Sequence, residues 1–159
     1  MFVAVDRCSG ECVGSHAAAS GDRLEALEPI RQGVLRQFGR IERDVAQGLA
    51  LRHDHGSNSM SRDFQAEIRF LGVEGSPACV REPEGNGVAE RFIRTLKENF
   101  LWVHTFGTIE DLRCALRDFV AHYNATWLVA RHGYRTPNQV RADQQRVDRS
   151  STANLPLAA

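Results

Sequence analysis

The chain has 159 residues, 42% of them hydrophobic and 25% charged, a balance that fits one globular domain with a sizeable core and excludes a disordered low-complexity polymer. Formal net charge is zero, so no global field draws the chain to nucleic acid, and any such contact must come from a local basic patch. Its 4 cysteines are scattered, its first residues are too few and too soon charged for a signal peptide, and no run approaches a membrane span; a reduced, cytoplasmic protein is expected.

Phe2 to Val5 reads as a buried strand, Asp6-Arg7-Cys8-Ser9-Gly10 as a turn, and Glu11 to Ala19 as a second strand closing a hairpin. Leu24, Leu27, Ile30, Val34, Leu35 and Phe38 keep helical spacing, which predicts a helix from Arg23 to Phe38 capped by Asp22. Leu49 to His53 is a strand ending at Asp54. Ser61 caps a helix to about Leu71, and Val73 to Ser76 is a further short strand. Pro77 to Gly87, rich in Pro, Gly and acids, reads as a mobile loop. A helix carrying Glu90 follows. Thr108-Ile109-Glu110-Asp111 resembles a capping box opening another helix, with Leu112, Leu116, Phe119, Val120 and Tyr123 as its buried stripe. Thr136-Pro137 begins a short helical turn. Residues 143–159 are read as a tail, Ser-, Thr-, Ala- and Pro-rich from about Val147 and disordered, behind one domain over 1–142. The order is that of a mixed α/β protein, and its acids fall at a strand end and on a helix beyond a loop, where open α/β sheets place their sites.

Two of those acids carry the chemistry. Asp54 ends an apolar strand and Glu90 sits on a helix, with 35 residues, His55 to Ala89, between them. Transfer of a phosphodiester is served by two cations about 3.5–4 Å apart, one on the attacking and one on the leaving oxygen. Magnesium takes hard oxygen ligands, so a rigid strand-end Asp and a Glu reaching from a neighbouring helix suit it. Glu90, Arg94 and Lys97 stand at i, i+4 and i+7, which puts a carboxylate and two cations on one helical face. Such a row suits a metal site beside a phosphate backbone. The plainer alternative is a solvated face with a Glu90–Arg94 pair. Lys97 is the only lysine among 20 basic residues, a bias that codon usage explains as well as function does.

His53-Asp54-His55-Gly56-Ser57-Asn58 resembles the D-N-G-S motif of retroviral-type integrase cores. Asn86 to Lys97 resembles the N-x-x-x-E-x-F-x-x-x-L-K motif of bacterial insertion-sequence transposases sharing that core. Tyr123-Asn124 followed by Arg131-His132-Gly133-Tyr134-Arg135-Thr136-Pro137 is similar to their C-terminal region. The resemblance runs from about Phe2 to Ala142. It implies a ribonuclease H-like fold, a mixed sheet flanked by helices. It also implies an Asp-Asp-Glu triad that uses Mg²⁺ or Mn²⁺ to cut element ends and join them to target DNA. By motif position Asp54 is the second acid and Glu90 the third, both catalytic and metal-binding, while Arg94 and Lys97 face DNA. The implied partners are DNA, both element ends and target, and a full-length transposase in a homo-oligomer, with nucleoid association and no membrane.

The first acid of the pattern has no counterpart. Asp6 follows what looks like the family's second strand and is expected to cap its own turn. The sheet is therefore expected to lack its first, central strand, leaving two strand edges without partners. On that basis the expectation is a truncated, inactive transposase piece. The alternatives are a non-catalytic remnant that binds DNA or interferes with full-length transposase, and an unrelated metal-independent hydrolase using Asp54 and Glu90 as general acid and base. The histidines suggest no catalytic cluster: His53 and His55 are read as structural or DNA-proximal. Trp102 and Trp127 are expected in the core or an interface rather than as base-stacking platforms.

Overall fold

Phe2–Val5 (β1) and Cys12–His16 (β2) pair antiparallel, with Phe2 opposite His16 and a register shift between Ala4 and Val5. The computed structural model to which they belong describes residues 1–53, 56–77 and 87–153. The loop expected over Pro77 to Gly87 lies, but for its two ends, outside the described residues, as do Asp54 and His55.

Helix α1, Arg23–Phe38, has the predicted limits. Asp22 accepts hydrogen bonds from Leu24 N and Glu25 N at 2.9 and 3.0 Å, and Gly39, at φ 74°, donates back to Leu35 O at 2.8 Å. α1 lies directly on β2. A Cβ on Gly14 would stand 2.0 Å from Pro29 O, and one on Gly33 3.1 Å from Val13 Cγ2. Two residues without side chains thus let a helix touch a strand backbone to backbone.

β3 (Ala50–His53), α2 (Arg62–Phe70) and β4 (Glu74–Pro77) form a β-α-β unit whose strands run parallel, Ala50 opposite Glu74. Ser61 Oγ caps α2 by accepting from Phe64 N at 3.3 Å. Phe64, Ile68, Leu71 and Val73 fill a cluster with Leu27, Val34 and Ala46.

α3 (Gly87–Leu96) passes into a π-turn, Lys97–Leu101. α4 (Ile109–Thr126) opens with the predicted capping box. Thr108 Oγ1 accepts from Asp111 N at 3.1 Å, and Asp111 accepts from Thr108 N at 3.0 Å. Of the expected stripe, Leu116 and Tyr123 are buried, and Leu112, Phe119 and Val120 pack partly buried around them. They join Cys12, Ala17, Phe92, Leu96 and Phe100 in a second cluster. α5 (Pro137–Ala153) starts where expected but is a long helix rather than a single turn.

Among the described residues β1 pairs with β2 alone and β3 with β4 alone. Among the same residues no helix is long and apolar enough to cross a membrane.

Candidate nucleic-acid interface

The row on α3 is exposed because the other side of the helix is locked. Phe92 and Leu96 are buried, and the Phe92 ring meets Tyr123 edge-on at 4.8 Å. Phe100 continues that face, 5.1 Å from the Phe119 ring and 5.2 Å from Phe106. With these anchors fixed, Glu90, Arg94 and Lys97 must face outward, and all three are exposed. They line one groove of about 370 Å³ together with Ile93, Glu98 and Trp102. Neither Arg94 nor Lys97 forms an ion pair among the described residues, so the Glu90–Arg94 pair weighed from the sequence is not made. A cleft of similar size, about 410 Å³, lies over β2 between α1, α4 and α5, but its Arg36 is tied to Glu11 at 2.6 Å and it contains neither candidate carboxylate.

Asp54 follows β3 directly in sequence and lies outside the described residues, so the structure describes only Glu90 of the two candidate acids. Among the described residues no three His, Cys, Asp or Glu side chains converge as a cation site. The donor chemistry nonetheless fits a hard cation: Glu90 offers an exposed carboxylate, in the first turn of α3, to the open groove.

The solved catalytic core of bovine immunodeficiency virus integrase superposes on 92% of this chain and 87% of its own, with a TM-score of 0.65 and 21% sequence identity. The simian T-cell lymphotropic virus intasome, solved by cryo-electron microscopy with a regulatory subunit of protein phosphatase 2A, gives a TM-score of 0.61 at 20% identity over 87% of this chain and 46% of that one. Residues 71–137 match the integrase core domain family. The fold is that of the retroviral integrase catalytic cores. The ribonuclease H-like class expected from the motifs is the fold observed. Among curated proteins, the chain is 28% identical over 140 residues to a putative transposase of insertion element IS2E from Escherichia coli K12, covering 86% of this chain and 62% of the relative. It is equally similar to the Escherichia coli transposase of IS2A/D/F/H/I/K, of which it spans 45%. The chain thus spans between about half and three fifths of these relatives.

Asp6 is engaged in its turn, as expected. It accepts from Ser9 N at 2.9 Å, Ser9 Oγ at 2.5 Å and Cys8 N at 3.3 Å, with Arg141 at 3.8 Å. Burial pushes its carboxyl up, but the Ser9 and Cys8 hydrogen bonds and the Arg141 charge outweigh this and hold it below the ordinary value. The C-terminal motif clamps the same hairpin. Asn124 Oδ1 accepts from Cys12 N and its Nδ2 donates to Cys12 O, both at 2.9 Å, while Arg131 donates to Arg7 O at 2.7 Å. The side-chain amide therefore continues the ladder along the outer edge of β2.

His53, read from the sequence as structural or DNA-proximal, packs inside the fold. It is buried, edge-on to Phe64 at 5.8 Å, and 3.3 Å from Gln65 Nε2. Trp127 stacks on Tyr123 at 5.8 Å and packs on the core, as expected. Trp102 is 72% exposed and so lies outside the core, the first of its two expected places. The signal that could have exposed it, a break in helical spacing after Lys97, is invisible in residue types.

Proposed function

We propose that this chain is the catalytic-core part of a DNA transposase of the integrase type, acting on DNA through the outward face of α3. The observation that carries the reading is the single groove holding Glu90, Arg94 and Lys97, with both cations free of ion pairs among the described residues. The transposase names of the sequence relatives point the same way. Arg94 and Lys97 would contact phosphates, Arg94 through its planar fork and Lys97 as a point charge. Asp54 and Glu90 would hold Mg²⁺ or Mn²⁺, whose chemistry when bound is to polarise the phosphodiester and activate the attacking hydroxyl or water. The carboxylate of Glu90 is exposed in the groove that also holds both cations, which would set the metal site beside the bound DNA.

One observation favours binding without cleavage as a second reading: the carboxylate of Asp6 is engaged by its own turn and by Arg141. Electrophoretic shift and cleavage assays on labelled duplex DNA test both readings. We expect salt-sensitive binding whose log–log slope against salt falls by about 1 on Lys97→Ala and likewise on Arg94→Ala. Divalent-cation-dependent cleavage lost on Glu90→Gln and Asp54→Asn would support the catalytic reading. Binding with no cleavage in Mg²⁺ or Mn²⁺ would support the second. Binding indifferent to both cationic substitutions would refute the assignment of α3.

A further inference from the structure

The cationic row ends in an aromatic ring that the backbone has aimed. Trp102 N donates to Lys97 O at 3.0 Å, an i→i+5 bond that closes the π-turn. A π-turn takes one more residue per turn than an α-helix, so every side chain after it arrives one position late. In an uninterrupted helix the face of Glu90, Arg94 and Lys97, at i, i+4 and i+7, would next present position 101, at i+11. The extra residue hands that place to Trp102. The structure bears this out, since Trp102 lines the same groove as those three residues, while Phe100 stays locked among Phe106 and Phe119. Among the described residues no other ring stacks on the indole.

Resting on the reading of α3 as a DNA face, we propose that Trp102 stacks an unpaired nucleobase of the strand whose phosphates Arg94 and Lys97 hold. Surfaces that bind single strands combine cations along the backbone with aromatic rings beneath the bases, the combination this groove offers. Glu98 also lines the groove and repels phosphate, which confines the backbone to the Arg94 and Lys97 side and leaves the indole to a base. A protein partner is the poorer match. Trp102 and Val103 are the exposed large hydrophobics of this stretch, too few for the contiguous apolar patch such an interface needs.

The test uses the full chain and fluorescence anisotropy with three DNAs: a blunt duplex, the same duplex with a single-stranded overhang, and the same overhang built of abasic nucleotides. The wild type should bind the base-bearing overhang most tightly. Trp102→Ala should weaken that complex by roughly 5- to 100-fold, with much smaller effects on the abasic and blunt forms, and Trp102→Phe should keep most of the preference. Equal losses on all three DNAs, or none on any, would overturn the proposal, as would a change in sedimentation of Trp102→Ala that reveals a contact between copies. If Arg94→Ala and Lys97→Ala weaken duplex binding while Trp102→Ala does nothing, stacking fails and the DNA face stands. If neither cation matters, both fail together.

Discussion

The carboxylate of Asp6 takes three hydrogen bonds from the turn that follows it, and Arg141 of α5 stands 3.8 Å away. Its folded pKa lies below the ordinary value because those bonds and that charge outweigh burial. A depressed carboxyl contributes stability that is present above the unfolded pKa, near 3.8, and is lost as pH falls through the lower folded value. Asp6→Asn should therefore lower stability by about 1–2 kcal/mol at neutral pH, the worth of hydrogen bonds to a charged acceptor. The gap between the two proteins should close in strong acid, below the ordinary carboxylate range. Urea denaturation at a series of pH values checks this, and a gap that stays constant into acid would contradict the account. The turn role of Asp6 was legible in the sequence because Asp-x-x-Ser is local chemistry. The Asn124 clamp was not, because its partner Cys12 lies 112 positions away.

At the scale of elements, the α1–β2 contact is a steric statement. Gly14 has no room for a Cβ because Pro29 O would lie 2.0 Å from it, and both are backbone positions that cannot swing aside. Gly14→Ala should cost about 1–3 kcal/mol or more in overpacking. Gly21→Ala, with nothing within 4 Å of the added carbon, should be nearly neutral. Thermal unfolding of the two variants side by side makes the comparison, and similar midpoints would refute the close seating of α1. The limits of α1 itself could be read from the sequence because Asp22 and Gly39 punctuate a periodic apolar run. The length of α5 could not: past Val140 it is almost wholly polar, and a helix without an apolar stripe leaves no period to read. The π-turn after α3 escaped for a related reason. Lys97-Glu98-Asn99-Phe100-Leu101 are ordinary helix-compatible residues, and the extra residue shows only in the Trp102–Lys97 bond.

At the scale of the whole molecule, the motifs located Glu90, Arg94 and Lys97 on one face, but how the core divides emerged only in three dimensions. Most of the buried hydrophobic residues fall into two clusters that share no member. One gathers the β1–β2 hairpin with α3 and α4; the other gathers α1 with α2, with Leu71 and Val73 just after it, and with Leu51 of β3. No strand pairing joins the two halves among the described residues. Their chief joint is the seat of α1 on β2, where glycines bring backbones close without burying large side chains between them. Units joined that thinly open separately, since the free energy of local opening follows the contacts each unit holds. Ile68→Ala, at a site 1% exposed, should cost about 2–5 kcal/mol by leaving a cavity. That loss should appear as faster amide exchange in α2, β4 and the adjoining face of α1, while α3 and α4 keep their protection. Leu116→Ala, equally buried, should do the reverse. Native-state hydrogen exchange resolved by residue reads both variants. A uniform rise in exchange across the chain for either one would mean that the two clusters melt as a single cooperative core, and that α1 transmits far more than its glycine contacts imply.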